Sequence, residues 1–221
     1  MGLKEWAKRF KDLFRKPEAG QAVDKRKPVE VKIEFKSLDK KSGKKNEEIE
    51  MRILVISDSH GKNDDVKQVL EQAGDIDMFI HLGDIERGPE YIRELAKCET
   101  HMIAGNNDYD IALPDTDSFM IADKRVFITH GHRFYVGSGV ERLREYALEN
   151  GYDIVMYGHT HMPFLEIGKD VTILNPGSIS YPRQDGRKHT FMLIEVDKEG
   201  EFHYSQGLLK SSLRDFYEGF Y

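Results

Sequence analysis

One cysteine, Cys98, stands in 221 residues, so no disulfide within the chain can hold the fold together. There is no apolar run near 18 residues and no secretory-signal pattern. These absences lead to the expectation of a cytoplasmic protein in a reducing compartment. A basic excess is missing too, with 33 Lys+Arg against 39 Asp+Glu and a net charge of −6. The balance is uneven. Residues 1–50 hold 15 Lys+Arg and 10 Asp+Glu; 33 less 15 leaves 18 basic residues, and 39 less 10 leaves 29 acidic ones, so the remainder carries −11. Phosphate neutralisation by Lys and Arg supplies most non-specific affinity for nucleic acid. General nucleic-acid binding is therefore not expected.

What is present divides near residue 50. In the basic extension, residues 1–50, Leu3, Trp6, Phe10, Leu13 and Phe14 recur at helical spacing among lysines and arginines up to Pro17. This predicts an amphipathic helix over 3–16, of a kind that lies on an anionic membrane surface, docks on a partner, packs on its own domain or forms a partly ordered tail. "VEVKIEFK" (29–36) alternates as a strand does, and "DKKSGKKNEE" reads as a linker.

Over 51–206 the pattern becomes regular. "MRILVIS", "DMFIHLG" and "THMIAG" read as strands, separated by helices marked by Val66, Val69, Leu70 and Ala73 and by Pro89 to Ala96. Strand, helix, strand, helix, strand implies parallel pairing. A hairpin turning at Asp123-Lys124, a helix ended by Gly151, the strand "DIVMYGH" and further strands to about 206 complete an α/β domain with extra antiparallel strands; 207–221 reads as a tail.

The residues that follow the strands carry the chemistry. They are Asp58-Ser59-His60-Gly61, Gly83-Asp84, Gly105-Asn106-Asn107-Asp108, His130-Gly131-His132 and Gly158-His159-Thr160-His161. Ligands of open α/β sheets collect beyond the carboxyl ends of strands, and carboxylates, imidazoles and one amide form a set of metal ligands. The neighbouring glycines permit tight turns and close backbone approach.

In "SDSHG", "HLGD", "GNND", "THGH" and "GHTH" the chain resembles the calcineurin-like metallophosphoesterases over roughly 51–180. The "GNND" variant and the later "NPGS" (175–178) are most similar to their small single-domain bacterial and archaeal phosphodiesterase branch, the YfcE-like proteins. The resemblance implies a four-layer αββα sandwich of two mixed β-sheets flanked by helices, with two divalent metals at one edge. Manganese comes first, with Fe²⁺, Zn²⁺, Ni²⁺ and Co²⁺ also suited to such ligands. By resemblance, Asp58, His60, Asp84 and His161 hold one metal, and Asp84, Asn106, His130 and His159 the other, with Asp84 bridging. It implies a phosphodiesterase in which hydroxide between the metals attacks a phosphate ester in line, with no Ser or Cys nucleophile.

The family's third motif places a histidine where Asn107 stands. An amide supplies no titrating proton, so acid help worth roughly 10² to 10⁴ is missing or comes from elsewhere, with His132 the nearest candidate. Asp84, Asn106, Asn107 and His132 are thus the catalytic candidates. His81 reads as structural or as orienting a ligand, Asp108 as orienting its loop or touching substrate, and Asn175, Ser178 and Arg183 as part of a turn near the metal edge. His101 and His203 read as ordinary polar positions, and Cys98 as a small buried one. Two other function classes stand beside the enzyme. The same fold serves as a retromer subunit that binds partner proteins, and the first 50 residues suit a membrane or partner tether.

Overall fold

The computed structural model describes residues 49–210. The expected helix over 3–16, the strand over 29–36 and the tail beyond 210 lie outside these residues. The described elements in chain order are β1 (Ile49–Ile56), α1 (Asn63–Ala73), β2 (Met78–His81), α2 (Pro89–Ala96), β3 (Glu99–Met102), β4 (Thr116–Ile121), β5 (Lys124–Thr129), α3 (Glu141–Asn150), β6 (Ile154–Tyr157), β7 (Pro163–Ile167), β8 (Thr172–Pro176), β9 (Thr190–Asp197) and β10 (Phe202–Leu208).

Two five-stranded mixed sheets result, in the orders β10-β9-β1-β2-β3 and β4-β5-β6-β8-β7. The β1–β2 and β2–β3 pairs are parallel, as the alternation with helices requires, and β9 and β10 extend that sheet antiparallel. In the second sheet β5, β6 and β8 run parallel while β4 and β7 close its edges antiparallel. The β4–β5 turn falls on Ala122-Asp123, one residue earlier than predicted, because Ile121 pairs with Lys124 and Ala122 takes the left-handed conformation at φ 50. β10 runs to Leu208, taking into the sheet the first residues expected as tail.

Three apolar clusters stack the layers. Ile53, Val55 and Ile80 from one sheet meet Val126, Ile128 and Met156 from the other. On the outer face of the first sheet, Leu54, Ile56 and Phe79 pack against Val66 and Val69 of α1 and Ile92 of α2. Phe127 and Val155 of the second sheet pack against Leu143 and Ala147 of α3. The α/β, αββα layering is therefore as expected. Burying one such side chain contributes about 1.5 to 3 kcal/mol, and β2, β6 and the C-terminal portions of β1 and β5 are buried on both faces. Rigid central strands fix the positions of the loops that leave them. His101, at the outer edge, joins β3 to β4 by hydrogen bonds to Glu99 (3.1 Å) and Asp117 (2.8 Å) and stacks on Phe119. Among the described residues no helix is long and apolar enough to cross a membrane.

Candidate metal centre

The loops after β1, β2, β3, β5 and β6 meet at one end of the sandwich. Main-chain hydrogen bonds zip the first two together: Asp58 N–H donates to Gly83 O (3.1 Å), His60 N–H to Asp84 O (2.9 Å) and Gly61 N–H to Ile85 O (2.8 Å). Gly158 N–H donates to His130 O (3.1 Å), tying in the other sheet. Asp58, His60, Asp84, His159 and His161 all adopt positive φ, from 47 to 67. Non-glycine residues rarely do so, and the cost is of order 1 to 3 kcal/mol each. Five such residues on converging loops mark a place where aim outweighs local comfort.

Three imidazoles are pinned from behind. Nδ1–H of His130 donates to Leu82 O (2.7 Å), that of His161 to Tyr181 O (2.6 Å) and that of His60 to Glu86 Oε1 (2.6 Å). Carbonyl and carboxylate oxygens only accept, so in the neutral ring each Nε2 turns inward as a bare lone pair. There Nε2 of His60 and His161 face each other at 3.3 Å; His161 Nε2 is 3.2 Å from Asp58 Oδ1 and His60 Nε2 is 3.7 Å from Asp84 Oδ2. One ligand atom from each of Asp58, His60, Asp84 and His161 lies within 4.8 Å of the others. Across Asp84, His130 Nε2 stands 3.5 Å from Asp84 Oδ2 and 3.2 Å from Asn106 Oδ1, and the His159 ring centres 5.2 Å from that of His130. All seven sequence-predicted ligands are thus gathered, with Asp84 common to both groups. Asp58 and Asp84 are buried, and Asp58 Oδ1 has no hydrogen-bond partner. Lone pairs facing lone pairs over two buried carboxylates repel unless a cation lies between them, so these residues fit divalent metal ions.

The calcineurin-like phosphoesterase superfamily domain matches residues 51–199. The chain belongs to this superfamily. A probable metallophosphoesterase of Methanocaldococcus jannaschii is 34% identical over 138 residues, 60% of this chain and 70% of that protein. The phosphodiesterase YfcE of Escherichia coli K12 is 30% identical over 173 residues, 66% of this chain and 89% of its own. Among solved structures, a predicted phosphoesterase of Streptococcus pneumoniae superposes with a TM-score of 0.59 at 27% identity, covering 72% of this chain and 97% of that one. Vacuolar protein sorting 29 of Cryptosporidium parvum superposes with a TM-score of 0.55 at 16% identity over 74% and 100%, a likeness of fold alone.

In this phosphoesterase the glycines beside the ligands act by close approach. A Cβ on Gly105 would fall 2.1 Å from Asp84 Oδ1, and one on Gly158 would fall 2.0 Å from Ser57 Oγ and 3.0 Å from Asp58 Oδ2. Asp108 accepts from the main-chain N–H groups of Glu86 (2.6 Å), Gly105 (2.7 Å) and Ile85 (3.2 Å), so it clamps two ligand loops together. Asn107 grips the carboxylate of Asp84, its N–H donating to Oδ1 (2.9 Å) and its Nδ2 to Oδ2 (2.7 Å). Asn175 donates to Gly158 O (2.8 Å) and Thr160 Oγ1 (3.1 Å), and Ser178 Oγ donates to Asp58 O (2.8 Å), so the "NPGS" turn holds the first and last ligand loops. Arg183 reaches the same edge through its main chain, N–H to His161 O at 3.1 Å, with its side chain exposed.

His81 is wholly buried, accepting from Gly83 N–H (3.2 Å) at Nδ1 and donating from Nε2 to Ser59 Oγ (2.9 Å). Burial holds it neutral, at about 4. His132 lies 5.5 Å from the His130 ring, and Nδ1 lacks a partner. Burial, then the His130 and Arg133 charges, lower it to about 4. Burial opposes ionisation of Asp58 and Asp84, yet hydrogen bonds and charge from His161 and His130 hold both below the usual carboxylate range. Burial likewise opposes protonation of His130, and the two carboxylates override it and raise its pKa. The pocket's charge thus favours a cation, even a proton. Sequence reading missed Glu86, whose only signal is an acid two places after Asp84. The carbonyls of Leu82 and Tyr181 left no signal, since any residue supplies them.

Proposed function

We propose that this chain hydrolyses phosphate esters, phosphodiesters foremost, with two divalent cations held by Asp58, His60, Asp84 and His161 and by Asp84, Asn106, His130 and His159. Manganese is the first candidate, and the mixed imidazole, carboxylate and amide donors suit Fe²⁺, Zn²⁺, Ni²⁺ and Co²⁺ as well. The observation that carries this reading is the convergence of three Nε2 atoms, each on a ring held at Nδ1 by an oxygen acceptor, on two buried carboxylates. Held by these residues, two divalent cations would supply Lewis-acid chemistry, an acidified water as nucleophile and charge neutralisation at the phosphoryl oxygens.

The remaining roles belong to the chain. Asn107 holds both oxygens of Asp84 and so fixes the common carboxylate. His132, neutral at pH 7, supplies a hydrogen-bonding group beside the cluster rather than a charged acid. Without an acid for the departing oxygen, esters with stable leaving groups are favoured, which suits aryl and other activated diesters.

Metal analysis together with hydrolysis of bis(p-nitrophenyl) phosphate tests the proposal. Wild type is expected to bind metal and cleave the diester, and Asp84→Asn to lose activity. Metal-loaded wild type that leaves every phosphate ester intact favours the second reading, a protein-interaction scaffold, for which the fold likeness to vacuolar protein sorting 29 is the supporting observation. We further propose that residues 1–17 tether the protein to an anionic membrane or a partner. Co-sedimentation of the full chain with anionic liposomes, lost when Lys4, Lys8, Lys11 and Arg15 are neutralised, is the result expected for a membrane.

A further inference from the structure

Two cations flank His60 on the lip of the metal centre. Lys62 follows it by two residues, and its Nζ sits 4.0 Å above the ring of Tyr181. That ring is half exposed, meets the His60 ring edge-on at 5.3 Å, and belongs to the residue whose carbonyl pins His161. From the neighbouring loop the side chain of Arg87 runs past Gly61: a Cβ added there would meet Arg87 Cδ at 3.3 Å, Cγ at 3.4 Å and Nε at 3.6 Å. Gly61, at φ 73, leaves room for the arginine beside the main chain that joins His60 to Lys62.

Neither cation has a carboxylate within ion-pair distance among the described residues, although residues 51–221 carry an acidic excess. Lys62 also immediately precedes α1. An ammonium gains nothing there from the helix, whose dipole is positive at that end. Two cationic side chains that border the residue next to His60, each without an ion pair, gain from an anion. The arginine offers a planar fork of donors and the lysine a point charge backed by an aromatic face.

We propose that Lys62 and Arg87 take a second phosphate group of the substrate, so that the preferred class is a phosphodiester carrying another phosphate close to the scissile one, as at a phosphorylated nucleotide end. This inference rests on the phosphoesterase reading. Each charge-assisted contact is worth about tenfold or more.

The test compares thymidine 5′-(p-nitrophenyl phosphate) with the same diester bearing a 3′-phosphate, in the metal-loaded full chain. Wild type is expected to favour the second by kcat/KM. Lys62→Ala and Arg87→Ala are each expected to cut that preference about tenfold, and Lys62→Arg to keep most of it. Calorimetric affinity for thymidine 3′,5′-bisphosphate over the 5′-monophosphate is expected to follow the same order. A purely structural role would lower both substrates equally and leave the ratio unmoved. An unmoved ratio, or no preference in wild type, overturns the inference. Cleavage of bis(p-nitrophenyl) phosphate but neither thymidine ester overturns this inference alone, whereas cleavage of none of the three overturns the phosphoesterase reading with it.

Discussion

His81 makes the stability of this protein depend on pH in a way that one substitution exposes. Its Nδ1 accepts from Gly83 N–H, its Nε2–H donates to Ser59, and burial lowers its pKa from 6.5 to about 4. Between those values the unfolded chain binds a proton that the folded chain refuses. Stability from this group is therefore complete above about 6.5 and falls as pH drops toward 4. At about 1.36 kcal/mol per pH unit the whole interval is worth about 3 kcal/mol, and the part between about pH 7 and about pH 5 is worth about 2 kcal/mol. The assay is urea unfolding of metal-depleted wild type and His81→Asn at those two pH values. Other groups titrate in both proteins and cancel in the comparison. Wild type is expected to lose about 2 kcal/mol more than the variant on acidification; equal losses would refute the argument that His81 is held neutral by burial.

Three further outcomes are expected. Glu86→Gln removes the carboxylate behind His60 (2.6 Å) and is expected to weaken metal binding about 10- to 100-fold in a competition titration while leaving the thermal midpoint of the metal-free protein close to wild type. Gly105→Ala drives a Cβ into Asp84 Oδ1, so the two loops must part; loss of metal binding, read by metal analysis of the folded variant, checks it. With Asn107 bound to Asp84 and no charged acid nearby, hydrolysis of a series of aryl diesters is expected to quicken steeply as leaving-group pKa falls, and a flat dependence would count against that view of Asn107.

Much of this was legible in the sequence because it is written in local pattern. The αL residue Gly151 does end α3, and Pro89 does open α2, since each acts on its own backbone. The parallel order β1-β2-β3 follows from short strands alternating with helices. The seven candidate ligands were legible because each stands next to a strand end, and parallel strands bring their ends to one edge. What pattern does not carry is the arrangement behind the ligands. Asp108 was read as either touching substrate or orienting its loop, and only the three N–H groups it accepts decide for the loop. His81 reads in the sequence as structural or as orienting a ligand, and only its hydrogen bonds to Gly83 and Ser59, with none to a ligand ring, decide for the structural role. The one-residue displacement of the β4–β5 turn reflects cross-strand pairing, which overrides the turn preference of Asp123-Lys124.

The carbonyls of Leu82 and Tyr181, which aim His130 and His161, have a genetic consequence. A main-chain oxygen survives every replacement of its own side chain, so the aim of neither ring depends on the side chain at 82 or 181, and what constrains Leu82 is its full burial in the core instead. His60 has no such insurance. Its direction hangs on the carboxylate of Glu86, and a single missense change there is enough to loosen it.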